Sequence, residues 1–218
     1  MTIGLTVTMN EIPGQAVPAP AAPPRNKRVL KTAGTVLGLA AGVVLGRLAM
    51  NAVLGDGAAE DAGRYRLAAP ASFQGLTLQD SGPRVEAVRS GQGPAKQGVT
   101  NVAVVYADPS GTAHLVVSGA YGRFGDQDPG AALTRSLQDM GTVTGITTQE
   151  AGTPAGGAMR CGTLDVGSGA GTLPLCMWAD HSTLVTVTVP VENQPVAMDV
   201  LASQARALRE AMEVPAAS

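Results

Sequence analysis

The sequence predicts an α+β protein with one N-terminal transmembrane helix followed by an antiparallel-sheet domain with two helices, built as a tandem pseudo-repeat. Three observations predict this architecture: an apolar stretch that follows a basic cluster, later runs of β-branched residues separated by turn residues, and two segments with helical periodicity. The predicted parts are a disordered cytoplasmic tail, the transmembrane helix, a linker, and two β-rich halves that each end in a helix: 1–28, 29–54, 55–64, 65–140 and 141–214.

The predicted tail is rich in Pro and Ala, most strongly over Pro13–Pro24. A segment of this composition has too few large apolar side chains to form a core, so it predicts disorder or a polyproline-like conformation. A proline-rich docking peptide is the alternative interpretation of the same residues.

The apolar stretch 29–54 contains the charges of Lys31 and Arg47, and its uninterrupted part, 32–46, has a helical length of about 22 Å. A bilayer core is about 30 Å thick, so a spanning helix needs the whole stretch, with both charges near its ends. Basic residues precede the stretch, whereas ten basic and sixteen acidic residues follow from Gly55 onward. We therefore expect a single-pass protein of the cell membrane with a cytoplasmic N-terminus and an extracytoplasmic C-terminal domain.

Two alternatives account for the same apolar stretch, a cleaved signal peptide and a buried helix of a soluble protein. The residues after Arg47 contain no clean Ala-x-Ala cleavage site and no lipoprotein cysteine, which favours an uncleaved anchor.

Glycines recur at every fourth position of the predicted anchor, at Gly34, Gly38, Gly42 and Gly46. On a helix they form one small-residue face against which a second helix can pack closely. This face predicts a homodimer or a partner helix, while the general abundance of glycine in the chain, 28 residues, is the alternative explanation.

The exported part contains an internal similarity, which predicts two halves related by an approximate twofold axis. Whether such halves form one sheet or two lobes is left open by the sequence. Three pairs of segments match in the same order with offsets of 70 to 72 residues: Phe73–Asp80 with Val143–Glu150, Tyr106–Ser110 with Trp178–Ser182, and Met140 with Met212.

In the first half, two β-branched runs, Val99–Ala107 and Thr112–Ala120, flank an Asp-Pro-Ser-Gly turn, which predicts a hairpin. Asp128 followed by proline predicts the cap of a helix that ends at Met140, before a glycine. The second half repeats this order of a hairpin and a helix.

The second hairpin is predicted from Thr172–Ala179 and Leu184–Val189, and the second helix over Pro195–Glu213. Helical spacing places an apolar face on this helix and predicts that its charged residues point outward: Arg206, Arg209, Glu210 and Glu213.

Cys161 and Cys176 lie at equal distances from the centre of a Gly-Ser-rich turn, so a hairpin places their side chains opposite each other. Outside the cytoplasm such a pair is oxidised, which predicts a structural disulfide. A metal or redox site is the alternative, but no further soft ligands and no Cys-x-x-Cys motif are present.

The tripeptide Asp180-His181-Ser182 has the residue types of a hydrolase triad, but consecutive turn residues point in divergent directions. Asp108 and Ser110 occupy the matching turn without a histidine, so we interpret both acids as turn residues and His181 as an incidental exposed side chain. His114 is interpreted as a strand residue rather than a metal ligand. The acids of 126–128 offer a weak calcium alternative that helix capping already explains.

Tyr106 and Trp178 occupy equivalent positions of the similarity and have two interpretations. They either face a shared cleft at the twofold axis or fill the core of their respective halves, and the core interpretation is favoured.

The composition excludes several function classes. A formal net charge of -2 and only six aromatic residues argue against nucleic-acid binding and against stacking platforms. The glycine clusters match no dinucleotide or Walker loop. The sequence predicts no cofactor, no metal site and no catalytic residue.

The second half resembles a group of actinobacterial membrane-anchored exported proteins, on the basis of Cys161, the stretch Cys176–Asp180 and the Arg-containing terminal helix. The resemblance covers 67–212 and implies an extracytoplasmic domain without implying an activity.

The predicted function is therefore a membrane-anchored extracytoplasmic binding domain without catalysis, with a protein partner in the cell envelope. One alternative is a cell-envelope hydrolase that uses dispersed residues such as His181, Asp180 or Asp126. Another is a structural subunit of a membrane complex that assembles through the glycine face.

Overall fold

The computed structural model describes residues 59–125, 127–167 and 171–217. Eight strands form one antiparallel sheet in the order β2-β3-β4-β5-β9-β8-β7-β6, and β1 pairs with β10 in a separate two-stranded sheet. The strands are β1 (Tyr65–Leu67), β2 (Ser72–Phe73), β3 (Leu76–Gln79), β4 (Val99–Ala107), β5 (Ala113–Gly122), β6 (Val143–Gln149), β7 (Ala158–Asp165), β8 (Thr172–Ala179), β9 (Thr183–Thr188) and β10 (Glu213–Pro215). The helices are α1 (Pro83–Gln92), α2 (Pro129–Asp139) and α3 (Met198–Met212), with a 3₁₀ turn at Val191–Asn193.

The structure confirms the α+β class with an antiparallel sheet. Strands β4, β5, β8 and β9 are rich in Val, Thr and Leu, and most of their residues are buried because the sheet carries helices on both faces. The two hairpins predicted around Asp108 and Asp180 are both present, as β4–β5 and β8–β9.

The two faces of the sheet carry separate cores. Along β8, Cys176 and Trp178 belong to the core under α3, whereas Leu175 and Met177 belong to the core under α2. Helix α1 covers Ala103 and Val105 of β4, on the same side of the sheet as α2. We call these sides the α3 face and the α1–α2 face.

The structure has three helices in its described residues rather than the predicted two, so that prediction was wrong. The additional helix, α1, buries Val85 and Val88 against β4 and β5. Its last residue, Gln92, is 7 % exposed and donates to the carbonyl oxygens of Val102 and Gly119 at 2.8 and 3.0 Å. With so few apolar residues, the segment has a weak periodic pattern, and tertiary contacts stabilise it.

The two halves form one continuous sheet through the β5–β9 pair, but they differ in two ways. Helix α1 has no counterpart in the second half, where β7 occupies the equivalent place in the chain. A twofold axis that relates the antiparallel neighbours β5 and β9 is perpendicular to the sheet. Rotation about this axis keeps each helix on its own side of the sheet, so equivalent helices of the two halves would lie on the same face. Helices α2 and α3 lie on opposite faces, and the tandem pseudo-repeat is therefore not supported.

Several predictions concern residues outside the described ranges: the cytoplasmic tail 1–28, the transmembrane helix 29–54 with its four glycines, and residues 55–58 of the linker. No helix within the described ranges has the length and apolar character needed to cross a membrane. The described part of the linker packs on the domain, where the Ala59 amide donates to the Phe124 carbonyl oxygen at 3.4 Å and Ala62 is buried.

The predicted cap of α2 is present, since an oxygen of Asp128 accepts the Ala131 amide hydrogen at 2.7 Å. Replacing it, in Asp128→Ala, is expected to lower the free energy of unfolding by about 1 kcal/mol, because an amide of the first turn loses its acceptor. Urea denaturation measures this loss. The matched control is Asp139→Ala at the exposed end of the same helix. An equal or larger loss in the control would contradict the capping role.

Candidate functional site

The two cysteines form the predicted disulfide. Cys161 and Cys176 are direct partners across β7 and β8, with their Cα atoms 4.1 Å apart, and both are fully buried under α3. The disulfide therefore stabilises the sheet from within the core.

Tyr106 and Trp178 lie in the core of the α3 face, and both are 0 % exposed. The Tyr106 hydroxyl donates to the Pro70 carbonyl oxygen at 3.1 Å, and burial raises the pKa of this phenol to about 12. The Trp178 indole donates to Glu213 Oε1 at 2.6 Å. Their burial agrees with the core interpretation and not with an open cleft.

A buried ionic cluster follows the end of α3. Arg209 is 0 % exposed and donates from Nε to Glu213 Oε2 at 2.9 Å, while its Nη2 lies 3.4 Å from Asp180 Oδ2. Its Nη1 donates to the carbonyl oxygens of Ala151 and Gly156, both at 3.1 Å. The prediction that Arg209 and Glu213 point outward was wrong, because the 151–157 loop and the β8–β9 turn cover this end of the helix.

The charged groups of this cluster are buried and contact one another, so the cluster has a structural role. Burial, together with the nearby charge of Asp180, raises the pKa of Glu213, whose carboxylate also accepts from Thr183. Because Arg209 is 0 % exposed, its guanidinium is not accessible to a ligand from solvent. The i,i+4 spacing of Arg209 and Glu213 was the only feature of the sequence that indicated an ion pair between them. The same spacing is equally typical of an exposed helix surface, so it does not predict burial.

The tripeptide around His181 does not form a triad. Asp180 Oδ1 accepts the amide hydrogens of Ser182 and Thr183 at 2.6 and 2.7 Å, which is the predicted turn role. His181 Nδ1 lies 2.6 Å from Asp61 Oδ1, and the histidine side chain is only 24 % exposed. The prediction of an incidental exposed side chain was therefore wrong, since His181 contacts Asp61 of the predicted linker and is mostly buried. Asp126, the third residue named for the hydrolase alternative, lies outside the described residues.

A small pocket on the α3 face brings together polar groups that the sequence does not associate. It has a volume of about 250 Å³ and lies between the β2–β3 turn, the start of β5, the segment after β9, and α3. We call it the carboxamide pocket, after three of its lining residues. Those residues are Gln74, Asn193 and Gln204, and the remaining lining consists of His114, Leu76, Leu115, Val189 and Val196.

A β-bulge places His114 in this pocket. Tyr106 pairs with Leu115 and Ala107 pairs with Ala113, so His114 is an extra residue in β5. Regular alternation from Leu115 would place His114 on the α1–α2 face, whereas the bulge lets both residues line the pocket. His114 lies in a strand, as the sequence predicts, but its position in a bulge and in this pocket was not predicted.

Asp108 selects the tautomer that a neutral His114 ring adopts. One oxygen of Asp108 lies 3.2 Å from His114 Nε2, and the other accepts from Ser110 and the Thr112 amide. Hydrogen bonds from Ser110 and Thr112 lower the pKa of Asp108 to about 2, so this carboxylate can only accept at neutral pH. Nε2 of a neutral His114 therefore carries the proton, and Nδ1 is left as an acceptor.

The three carboxamide side chains at the pocket differ in whether they already form hydrogen bonds within the protein. Asn193 donates to the Ala113 carbonyl oxygen and so joins the 3₁₀ turn to β5. Gln74 adopts a left-handed conformation with φ 49° in the two-residue β2–β3 turn, where Gly75 follows with φ 82°. The side chains of Gln74 and Gln204 make no hydrogen bond within the described residues, so both amides can bind a ligand.

The pocket can bind, but it lacks an activated nucleophile. The Ser110 hydroxyl donates to Asp108 at 2.6 Å and not to the histidine, so the order of groups needed for a serine nucleophile is missing. Within the described ranges, no three His, Cys, Asp or Glu side chains are grouped as metal ligands would be. Comparison with protein-family models, curated proteins and solved structures found no match to this chain.

Proposed function

We propose that this chain is a membrane-anchored extracytoplasmic binding domain that acts without catalysis and holds a protein partner of the cell envelope at the carboxamide pocket. The observation that carries the proposal is the β-bulge that places His114 in one pocket with Gln74 and Gln204, whose side-chain amides make no hydrogen bond within the described residues. Polar groups that converge over an apolar floor are typical of binding sites, and bulges commonly redirect side chains at such sites.

Two features support the extracytoplasmic placement. The disulfide between Cys161 and Cys176 is a bond that persists in oxidising compartments. The basic residues before 29–54 and the acidic character after it favour a single crossing with the N-terminus in the cytoplasm. The resemblance to actinobacterial membrane-anchored exported proteins points to the same location.

The glycine face of the proposed anchor adds self-association to this function. Gly34, Gly38, Gly42 and Gly46 provide a face for a second copy of the helix. A membrane reporter of helix association is expected to lose its signal in the double variant Gly38→Leu/Gly42→Leu. Retention of the signal would contradict self-association through the glycine face. It would also argue against a structural subunit that assembles through this face.

Site-specific photo-crosslinking of the full-length chain in its native membrane tests the binding function. A benzophenone amino acid at Gln204 is expected to crosslink to one envelope protein. The same group at Glu210, exposed on the same helix, is the matched control. The crosslink should be lost when Val196→Trp fills the pocket and retained in Val200→Trp, which alters an exposed position of α3.

A second pocket variant tests the site independently, and two further measurements test the hydrolase alternative and the membrane anchor. Leu76→Phe narrows the pocket from a different element and should also abolish the crosslink, with the melting temperature confirming that the variant is folded. A crosslink that persists in both pocket variants would overturn the proposed site. A turnover activity lost in His181→Ala at an unchanged melting temperature would favour the hydrolase. Recovery of the chain without detergent would overturn the anchor.

A further inference from the structure

We propose that the carboxamide pocket binds an uncharged peptide segment and holds one branched aliphatic side chain of that segment against its floor. This inference rests on the proposed function and names the chemistry of its partner. Three properties of the pocket carry the inference: the apolar floor, the absence of charge in its lining, and the arrangement of hydrogen-bonding groups at its rim.

The floor is aliphatic and largely buried. Leu115 and Val189 are 1 % and 4 % exposed, and Leu76 and Val196 are partly buried against the same core. The pocket is small, with a volume of about 250 Å³, and the ligand proposed for it is accordingly one side chain with an adjoining peptide group. An aliphatic side chain displaces water from this floor without leaving any polar atom unpaired.

The lining of the pocket contains no Asp, Glu, Lys or Arg side chain. The nearest carboxylate described above, Asp108, is already occupied by Ser110, Thr112 and His114, so it offers little to an incoming cation. An anion would meet carboxamide side chains and, on a neutral His114 ring, an acceptor at Nδ1. Burying either charge here would be unfavourable, and the pocket therefore selects an uncharged ligand.

The rim complements a peptide group. Nδ1 of neutral His114 accepts one hydrogen bond, and the amides of Gln74 and Gln204 can each donate and accept. A peptide unit has one N–H donor and one C=O acceptor, so it satisfies the histidine and one amide at the same time. A sugar offers hydroxyl groups for the rim but presents polar atoms to the aliphatic floor, and the lining has no Phe, Tyr or Trp ring against which to stack it.

A titration of the full-length chain in detergent with N-acetyl-leucine methylamide tests this inference, followed by NMR of the glutamine side-chain amides. The probe is expected to bind at least about tenfold more tightly than N-acetyl-glycine methylamide, because the glycine analogue leaves the floor empty. It should also bind at least about tenfold more tightly than N-acetyl-leucine, whose carboxylate is unpaired in this pocket.

Variants locate the binding. Gln204→Met removes one rim amide and should weaken binding of the leucine probe, whereas Gln138→Met, exposed on the opposite face of the sheet, should leave it unchanged. Val196→Trp should abolish binding, and unchanged chemical shifts of the α2 residues would show that each variant is folded.

The outcomes separate this inference from the proposed function. Equal affinity for the glycine or carboxylate analogue, tighter binding of N-acetylglucosamine, or no binding of the leucine probe would overturn the inference. A pocket-dependent crosslink at Gln204 would in those cases still support the proposed function. Binding of the leucine probe without any such crosslink would support the chemistry of the pocket and overturn the envelope partner.

Discussion

Arg209→Met is expected to lower the free energy of unfolding by about 3 to 5 kcal/mol, because it leaves two carboxylates near each other without their buried cation. Arg209 is 0 % exposed and contacts Asp180, Glu213 and two loop carbonyl oxygens. Its loss therefore releases the 151–157 loop as well as the β8–β9 turn. Urea denaturation at neutral pH, with the midpoint and slope compared with the unmodified chain, measures the effect.

Arg206→Met is the matched control, since Arg206 lies one turn earlier on α3 and is partly exposed. A change within about 0.5 kcal/mol is expected there. A loss of similar size in both variants would contradict the buried-charge explanation and would point instead to the helix as a whole.

Acidic pH provides a second test of the same cluster. The pKa of Glu213 is raised above its ordinary value of 4.5, so the folded state binds this proton more tightly than the unfolded state. The contribution of Glu213 to stability is therefore greatest below that ordinary value and is lost as the pH rises through the folded-state pKa. In Arg209→Met the repulsion between Glu213 and Asp180 disappears on protonation, so the deficit should shrink at about pH 4. A deficit independent of pH would contradict this account.

Cys161→Ala/Cys176→Ala is expected to lose about 3 kcal/mol, because the disulfide closes a loop between residues 15 positions apart and restricts the unfolded chain. The measurement is urea denaturation with and without reductant. The unmodified chain should lose stability when the reductant is added, whereas the double variant should not respond to it.

The unmodified chain in reductant is the internal control, because it keeps both side chains and lacks only the bond. If reduction leaves the urea midpoint unchanged, the disulfide does not contribute to stability. Alkylation of both thiols in intact cells would contradict the proposed extracytoplasmic placement as well.

Local chemistry made parts of the fold predictable. Asp108 and Asp180 form turns through hydrogen bonds to amides within a few residues, and Asp128 caps a helix in the same way. The disulfide followed from the symmetric spacing of two cysteines around one turn. Each of these features depends on neighbours in the sequence, so no knowledge of the tertiary structure was needed.

The buried ionic cluster and α1 could not be predicted in this way. Periodicity identifies the apolar face of α3, but it does not reveal that a distant loop covers the end where Arg209 and Glu213 lie. Similarly, α1 has few apolar residues and is stabilised by Gln92, whose partners lie on β4 and β5. The burial of Arg209 and Glu213 and the formation of α1 both depend on tertiary contacts between segments that are distant in the sequence.

The carboxamide pocket shows why the candidate site was missed. Its amides come from positions 74, 193 and 204, which only the folded sheet brings together. Strand alternation predicts a face for His114, but a single inserted residue reverses that prediction. The composition of the pocket therefore depends on one irregularity of the β4–β5 ladder that the sequence pattern does not reveal.

The pairing of β1 with β10 has a consequence for how this domain is handled. Tyr65 lies opposite Pro215 in that pair, so the point where the polypeptide enters the domain and the point where it leaves are neighbours. If the N-terminal side is tethered to lipid as proposed, the C-terminus emerges close to the same bilayer. A tag or reporter fused there would be crowded by the membrane.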